Sequence, residues 1–481
     1  MASNELSISE LTEALAAKKT SAVDAVQSVF KAIDTDDGSA KPVGAYIELY
    51  REEAIARAKE CDKRIAGGEK KPLLGVPIAL KDNIAFQGHA LTCASKILSG
   101  YVAPYNAHIV NKLVDAGANI IGRLNMDEFA MGSSTENSAV KVTRNPHDRD
   151  RIPGGSSGGC AAAVAAHHAF GSFGSDTGGS IRQPASLCGV IGMKPTYGLV
   201  SRYGLTAFGS SLDQIGPFAK TISDTALLLS VIAGHDANDS TSVKSETVDY
   251  RAHLADSIKG KVLGLPKEYF VTGIHPDVKA RVMEATKVFG SLGAKIEEIS
   301  LPHTEYGVSV YYIIGTAEAS SNLARFDGVR YGKRAKDAAN LLSLYERSRT
   351  DGFGEEVKRR ILLGTYVLSS GYYDAYYMKA LKVRTLIARD FTDAFRNVDA
   401  IIAPTSPTTA FKIGEKTSNP LEMYLSDIFT ITVNLAGLPA LSMPCGVDGN
   451  GLPIGLQLIG KAFDERTVLT LANAYEAARG R

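Results

Sequence analysis

The sequence carries almost no net charge. Its 53 lysines and arginines and 52 aspartates and glutamates leave a formal charge of +1 over 481 residues. A protein that grips nucleic acid through phosphate contacts usually carries a clear excess of basic residues. The balance therefore argues against a strongly basic nucleic-acid-binding protein. It does not exclude a complex in which a partner protein supplies the basic surface.

Cysteine is also scarce. Five cysteines lie far apart, their number is odd, and no CxxC pair occurs. This usage predicts reduced cysteines that pack in the interior, which suits a cytoplasmic protein. Clustered ligands of the kind that hold zinc are missing, so no metal site is predicted.

Long apolar runs are absent as well. No stretch of about 18 apolar residues occurs, so no membrane span is expected. Residues 1–9 lack the basic start and apolar run of a secretory signal. With 44% hydrophobic and 22% charged residues, the composition is that of a globular protein. The length suggests about three domains, although large α/β enzymes often form one continuous body.

The order of apolar segments predicts an α/β fold. Residues 73–80 form a short apolar run, typical of a buried strand, and a helix over 109–116 precedes a strand over 119–122. Such alternation favours a central mixed sheet with helices on both faces. Near the start, Ser7 with Glu10 and Ser21 with Asp24 match the pattern that opens a helix.

We expect one domain over 1–481. Within it we expect a core that holds the glycine-rich motifs (60–235), a mostly helical lobe or insertion (236–380), and a return to the core sheet (381–481).

Residues 150–217 are rich in glycine, serine and alanine and include GGSSGG (154–159) and DTGGSIRQP (176–184). A serine attacks an amide only if a base takes its proton and if N–H donors stabilise the oxyanion that forms. Ser180 is the candidate nucleophile. The backbone amides beside it can supply the donors, because glycine lets several N–H groups point at one spot. The candidate donors are Thr177, Gly178 and Gly179.

Lys81 is the candidate base. A lysine with an ordinary pKa of about 10.4 is charged at neutral pH and cannot accept a proton. Burial lowers the pKa of a lysine, and the apolar run before Lys81 predicts a buried setting. A second serine between Lys81 and the nucleophile could pass the proton on.

Each signal has a simpler interpretation. A glycine- and serine-rich loop is commonly a tight turn, or it can cradle phosphate, although the GxxxxGK[ST] pattern is absent. Lys81 could be a solvated or ion-paired lysine, and Ser180 could cap a helix.

Two further motif matches are treated as accidental. GGSSG around Ser156 matches the GxSxG nucleophile elbow, whose enzymes place their histidine late in the chain. Here the last histidine is His303. Ser28 to Lys31 fits SxxK, but it lies on an early amphipathic segment and no KTG follows.

Taken together, 154–184 and GVPIALKDN (75–83) resemble the amidase signature family. The resemblance implies an α/β fold and a relay of Ser180 as nucleophile, Ser156 as bridging serine and Lys81 as base. It also implies a cis peptide bond before Ser156.

The resemblance extends over nearly the whole chain to one branch of the family. GRLNMDEFAMGSSTENS (122–138) and FGEEVKRRILLGTYVLSSGYYDAYY (353–377) are similar to the A-type, glutaminase chains of glutamyl-tRNA(Gln)/aspartyl-tRNA(Asn) amidotransferases. This implies that the chain hydrolyses glutamine and passes ammonia to the B-type partner of such a complex, with a small C-type partner joining the two. It implies no cofactor in this chain, with ATP, magnesium and misacylated tRNA handled by the B-type partner.

The same resemblance implies substrate contacts. Arg360 is expected to bind the α-carboxylate of glutamine in a bidentate manner, and Asp427 its α-ammonium group. Tyr311 and the backbone of Met131 are further candidates. Without the resemblance, Arg360 would be interpreted as a surface charge on a helix and Asp427 as a turn residue.

Two rival functions stay open at this point. One is a free-standing amidase that acts on another small amide. The other is a non-catalytic assembly protein with an inactive amidase fold.

Overall fold

A computed structural model describes residues 3–245, 248–270, 273–417 and 419–479. Its strands are β1 (Tyr46–Leu49), β2 (Pro77–Lys81), β3 (Asn119–Leu124), β4 (Gly171–Asp176), β5 (Ile191–Lys194), β6 (Gln214–Ala219), β7 (Val262–Pro266), β8 (Lys295–Ile299), β9 (Ala400–Pro404), β10 (Ala440–Val447) and β11 (Pro453–Gly460). Its α-helices are α1 (Ile8–Ala16), α2 (Ala22–Asp37), α3 (Arg51–Ala66), α4 (His108–Asp115), α5 (Gly158–Ala165), α6 (Arg182–Cys188), α7 (Ile222–Ile232), α8 (Pro276–Ser291), α9 (Gly307–Asn322), α10 (Leu341–Gly352), α11 (Glu355–Leu368), α12 (Lys379–Ala394), α13 (Pro420–Tyr424), α14 (Ile431–Leu435) and α15 (Glu465–Arg479).

The strands form one sheet, in the order β1-β3-β2-β4-β6-β5-β10-β11-β9-β7-β8. β2 runs parallel to β3 and β4, and β7 runs parallel to β8 and β9, whereas the strands between these two groups pair antiparallel. The sheet is therefore mixed, as predicted.

Both faces of the sheet are covered. Along β9, Ile402 joins one hydrophobic cluster with Leu469 of α15, and the next residue towards the N-terminus, Ile401, joins another with Phe391 of α12. Neighbouring residues of a strand point to opposite faces, so the two clusters lie on the two sides of the sheet. The predicted α/β/α sandwich is confirmed.

The predicted boundaries hold in part. Both N-terminal capping boxes are present, at Ser7 and at Ser21. The strand predicted over 73–80 is wrong in its first half, because 73–76 form a turn in which Gly75 has φ +83°. An apolar run marks burial, and both a strand and a buried turn satisfy it.

The segment 236–380, expected as a mostly helical lobe or insertion, does contain helices. It also contributes β7 and β8, which form one end of the common sheet. The segment is thus joined to the core sheet by strand pairing. The part 381–481 returns to the same sheet through β9, β10 and β11.

In the four described ranges, no helix is both long and apolar enough to span a membrane. The same ranges contain no group of three or more histidine, cysteine, aspartate or glutamate side chains arranged to hold a metal ion. The five cysteines are buried and unpaired.

Candidate active site

The site lies where two neighbouring parallel strands end. Lys81 is the last residue of β2 and Asp176 the last of β4, and these strands pair directly. The carboxyl ends of parallel strands meet at the same edge of a sheet, so the loop after β4 starts beside the lysine. The sequence places its two motifs at this edge.

Lys81 is fully buried among serine oxygens. Its Nζ lies 2.7 Å from Ser156 Oγ, 2.8 Å from Ser157 Oγ and 3.0 Å from Ser175 Oγ. Burial lowers the pKa of Lys81 to about 8, against smaller opposing effects of nearby acidic groups. A substantial fraction of the lysine is therefore neutral in mildly alkaline solution, the state in which it can accept a proton.

The backbone before Ser156 is unusual. The peptide bond Gly155–Ser156 is cis, which confirms the feature implied by the resemblance. The Gly155 N–H donates to Gln183 Oε1 at 3.0 Å. A Cβ on Gly155 would lie only 2.1 Å from Asp127 Oδ2, so no larger residue fits there. These contacts hold Ser156 against the lysine.

Ser180 lies at the start of the turn that leads into α6. Its carbonyl accepts a hydrogen bond from the Ser157 N–H at 3.2 Å, which links it to the GGSSGG loop. Within the described residues, its hydroxyl has no hydrogen-bond partner. Ser180 is 8% exposed, and its hydroxyl is thus available to a bound molecule.

The three predicted oxyanion donors differ. The N–H groups of Thr177 and Gly178 make no hydrogen bond to any residue that the structure describes. The Gly179 N–H, in contrast, donates to Asp176 Oδ1 at 2.8 Å. Of the three candidate donors, Thr177 and Gly178 therefore offer a free N–H in the part of the chain that the structure describes, whereas the amide of Gly179 is engaged by a carboxylate.

Gly179 still has a structural role. Its φ of +143° is in the region that favours glycine, and an added Cβ would lie 2.3 Å from Thr430 Oγ1. Any side chain here would push the nucleophile loop away from the 427–430 turn.

A buried ion pair between Asp176 and Arg182 holds the nucleophile loop, residues 177–180, in place. Arg182 Nε donates to Asp176 Oδ2 at 3.0 Å, and both side chains are fully buried. Burial opposes ionisation of Asp176, but the Arg182 guanidinium lowers its pKa to about 2. Asn434 and Gln457 accept from the remaining guanidinium N–H groups. The pair therefore sets the position of 177–180.

Arg360 lies on α11 and is buried, not a surface charge. Its Nε donates to Glu356 Oε1 at 2.7 Å, and its guanidinium carbon is 5.1 Å from the ring centre of Tyr312 and 5.5 Å from that of Tyr424. Its two terminal nitrogens make no hydrogen bond within the described ranges. They are free for a carboxylate, which binds such a planar fork in a bidentate manner.

Asp427 is buried, and only one of its two carboxylate oxygens has a hydrogen-bond partner among the described residues. Its Oδ2 accepts a hydrogen bond from the Ser133 hydroxyl, whereas its Oδ1 has no partner among the described residues. Oδ1 lies 3.2 Å from the position that a Cβ on Gly179 would take. Burial raises the pKa of Asp427 to about 7. An unpaired buried carboxylate oxygen beside the nucleophile loop is suited to a small cation such as an ammonium group.

Of the weaker candidates, Tyr311 contacts the nucleophile loop, and Met131 directly precedes Gly132, which lines a cavity next to Arg360. The Tyr311 ring packs closely on Gly178: a Cβ added to that glycine would lie only 2.9 Å from Tyr311 Oη. The Met131 carbonyl accepts from Asn137 Nδ2 at 3.1 Å. A cavity of about 140 Å³ next to Arg360 is lined by Gly132 and Ser134, which flank Ser133.

Sequence reasoning missed four residues that this arrangement uses: Ser157, Ser175, Ser133 and Glu356. Ser157 and Ser175 stood inside or beside the two glycine-rich motifs, and their signal was the surplus of serine around a buried lysine. Ser133 stood in the GSSTENS run. Glu356 precedes Arg360 by four residues, a spacing that brings opposite charges together on a helix.

Comparison with known proteins shows the family to which the chain belongs. The model of the Amidase family matches residues 25–469. The chain belongs to the amidase signature family. A relative from Carboxydothermus hydrogenoformans, the A-type chain of a glutamyl-tRNA(Gln) amidotransferase, is 59% identical over 472 residues, which cover 98% of this chain and 96% of the relative. A protein of the same name from Methylacidiphilum infernorum is 57% identical over 99% of this chain and 95% of its own length.

Solved structures of amidase signature proteins share the fold. The A-type chain of the glutamyl-tRNA(Gln) amidotransferase from Thermotoga maritima superimposes with a TM-score of 0.79 at 44% identity, over 98% of this chain and 95% of that one. The peptide amidase from Stenotrophomonas maltophilia gives 0.82 at 28% identity, over 99% and 98%. The family thus includes chains that act on different amides. The side chains that bind the substrate must therefore distinguish which amide a given chain hydrolyses.

Proposed function

We propose that this amidase is the glutaminase component of a tRNA-dependent amidotransferase. It hydrolyses glutamine to glutamate and ammonia, and the ammonia converts Glu-tRNA(Gln) to Gln-tRNA(Gln), with Asp-tRNA(Asn) as the second candidate acceptor. The observation that carries the hydrolysis is the 2.7 Å contact between Lys81 Nζ and Ser156 Oγ, in a loop whose next residue, Ser157, donates a hydrogen bond to the Ser180 carbonyl. The names of the most similar relatives support the tRNA-dependent role.

In the proposed reaction, neutral Lys81 accepts the Ser156 hydroxyl proton while Ser156 takes the proton of Ser180. Ser180 Oγ forms a bond to the side-chain amide carbon of glutamine. The N–H groups of Thr177 and Gly178 stabilise the resulting oxyanion. The proton returns through Ser156 to the amide nitrogen, the C–N bond breaks and ammonia leaves. Water then hydrolyses the γ-glutamyl ester and releases glutamate.

Glutamine is favoured over other small amides because two charged groups lie at the site. Arg360 binds the α-carboxylate through its free terminal nitrogens, and Asp427 Oδ1 binds the α-ammonium group. Tyr311 and the Met131 backbone border the substrate. A simple amide offers no charges to either group, and a buried Asp427 left unpaired is costly.

This chain needs no cofactor of its own for the proposed reaction, because hydrolysis uses only the serine relay. ATP and magnesium act on the companion B-type protein, which binds the misacylated tRNA, and the small C-type protein joins the two. The near-zero net charge of this chain agrees with tRNA binding elsewhere in the complex.

The test is ammonia release from glutamine by the full chain, alone and together with the candidate B-type and C-type partners, with and without misacylated tRNA. We expect glutaminase activity that rises when the complete complex and its tRNA are present. Mass spectrometry of briefly quenched samples should detect a γ-glutamyl ester on Ser180. Full activity on simple amides with no effect of partners would instead indicate a free-standing amidase. Ammonia release that Ser180→Ala leaves unchanged would indicate a non-catalytic assembly protein.

A further inference from the structure

The two charged groups of the proposed glutamine site lie on separate parts of the chain. Arg360 belongs to α11, whereas Asp427 is hydrogen-bonded to Ser133 in the loop that follows β3. The spacing between them must match the distance between the carboxylate and the ammonium group of one small molecule. This spacing depends on how α11 is held against the loop.

Glu128 joins these two parts. The residue is 2% exposed, and its Oε2 accepts the Gly354 N–H at 2.8 Å, directly before the first turn of α11. Its Oε1 accepts from the Ser95 hydroxyl, which fixes the carboxylate from the other side. A Cβ on Gly354 would lie only 2.3 Å from Oε2, so the two segments meet closely here. A carboxylate at this end of the helix also interacts favourably with the helix dipole.

A second contact of the same kind lies beside the first. Phe129, the next residue in the loop, packs edge-on against Phe353, the residue before Gly354, with ring centres 5.7 Å apart. Phe129 has φ +50°, and its N–H donates to the Cys93 carbonyl at 3.0 Å. The backbone therefore fixes the direction in which the Phe129 side chain leaves the loop. The loop and the start of α11 are thus joined residue by residue, by one polar and one apolar pair.

We infer that Glu128 is a positioning residue for glutamine: its carboxylate holds the start of α11 against the 127–137 loop and thereby sets the place of Arg360 relative to Asp427. This inference rests on the proposed glutaminase function. Glu128 does not touch the substrate and acts through Arg360. Its loss should therefore weaken recognition of the α-carboxylate and leave the serine relay intact.

The test compares two amides on Glu128→Ala, in the full chain assembled with its companion proteins. Glutamine carries the α-carboxylate, and 4-aminobutanamide is the same molecule without it. We expect the KM for glutamine to rise about 10-fold with kcat little changed, because small misplacements of a binding group are costly. The kcat/KM for 4-aminobutanamide should stay within about twofold of wild type.

Three variants sharpen the test. Burial raises the pKa of Glu128 to about 7, so part of the native side chain is protonated near neutral pH. A glutamine side chain at position 128 resembles this uncharged form. Glu128→Gln should accordingly show a smaller effect of the same pattern, and it replaces Glu128→Ala if that variant does not fold. Glu355→Gln is the matched control on the exposed side of the same helix end and should behave as wild type. In an Arg360→Ala background, Glu128→Ala should add nothing to the KM for glutamine.

A fall in kcat/KM that is equal for both amides would overturn the inference and indicate a merely structural role, and so would additive effects with Arg360→Ala. An unchanged KM for glutamine in Glu128→Ala would overturn it while leaving the proposed function standing. A wild-type protein that hydrolyses 4-aminobutanamide but not glutamine would overturn the proposed function and this inference together.

Discussion

Lys81 Nζ and Ser156 Oγ lie 2.7 Å apart in a part of the protein that solvent does not reach. The lysine ends β2, and the serine follows a cis peptide bond in a loop 75 residues further along the chain. A buried lysine without a carboxylate in direct contact loses its charge more readily than an exposed one. The contact therefore pairs a hydroxyl with an amine of lowered pKa.

The first prediction concerns pH. The neutral form of Lys81 is the base, and burial lowers its pKa to about 8. The kcat at saturating glutamine, which does not depend on how tightly Asp427 binds the substrate, should therefore rise as pH increases from about 6 and level off above about 8. Stopped assays of ammonia release across this range and into alkaline buffer measure the rise. Lys81→Ala should lose most of the activity and also the rise. A profile that is already flat in mildly acidic buffer would contradict the assignment of Lys81 as base.

The second prediction concerns the two serines. Ser180→Ala removes the attacking oxygen and should abolish turnover, whereas Ser156→Ala breaks the path of the proton and should slow acylation strongly. Because the residues act as one unit, the double variant should be no worse than Ser180→Ala alone. Single-turnover assays with glutamine measure the acylation step. Ser157→Ala is the matched control: its hydroxyl also contacts Lys81, but it lies outside the proposed path. A larger loss in Ser157→Ala than in Ser156→Ala would contradict the order of the relay.

The third prediction concerns Asp427. Asp427→Asn removes the charge that faces the α-ammonium group, and loss of a buried charge partner typically costs about 2–5 kcal/mol in binding. We expect the KM for glutamine to rise by roughly 30-fold or more. For glutaramate, which lacks the amino group, KM should change little. Comparable losses for both amides would exclude Asp427 from ammonium binding.

The fourth prediction follows from the raised pKa of the same residue. Burial raises the pKa of Asp427 to about 7, and only the ionised form attracts an ammonium group. The KM of wild type for glutamine should therefore increase as pH falls below about 7, and this increase should disappear in Asp427→Asn. Initial rates at varied glutamine concentration, on both sides of neutral pH, decide the point.

The fifth prediction concerns stability. Asp176→Asn leaves the fully buried Arg182 without its counter-charge, and breaking such a pair typically lowers the free energy of unfolding by about 3–5 kcal/mol. Urea unfolding followed by circular dichroism measures the change. Glu69→Gln, which breaks the exposed pair with Arg64, serves as the control and should leave the midpoint where it is. Equal midpoints for the two variants would show that the buried pair is not needed for the fold.

The catalytic edge of the sheet could be predicted from the sequence because its signals are local. The two glycine-rich motifs and the lysine after an apolar run each stand within a few residues, and the structure brings them together. Arg360 and Asp427 carry no local signal, since a charged residue on a helix or in a turn is ordinary. Their environment depends on packing between distant segments, and only the family resemblance pointed to them.

Two other features could not be predicted from the sequence, each for a physical reason. β8 has the sequence KIEEI and lies at the end of the sheet with mostly exposed side chains, so it has no apolar run to mark it. The engagement of the Gly179 amide by Asp176 depends on the direction of one carboxylate, which the buried Arg182 sets from six residues away. Neither feature is encoded in a short pattern.

The place of Lys81 at the last position of β2 also limits how the chain can change in length. Side chains of a strand alternate between the two faces, so one residue inserted within Pro77–Lys81 would turn the lysine away from the serines to the opposite face. The exposed turn at 67–70, only a few residues earlier, has open space around Gly68 and would accept the same insertion. Insertions should thus be tolerated before the strand and abolish activity within it, a sharp boundary set by a single pairing register.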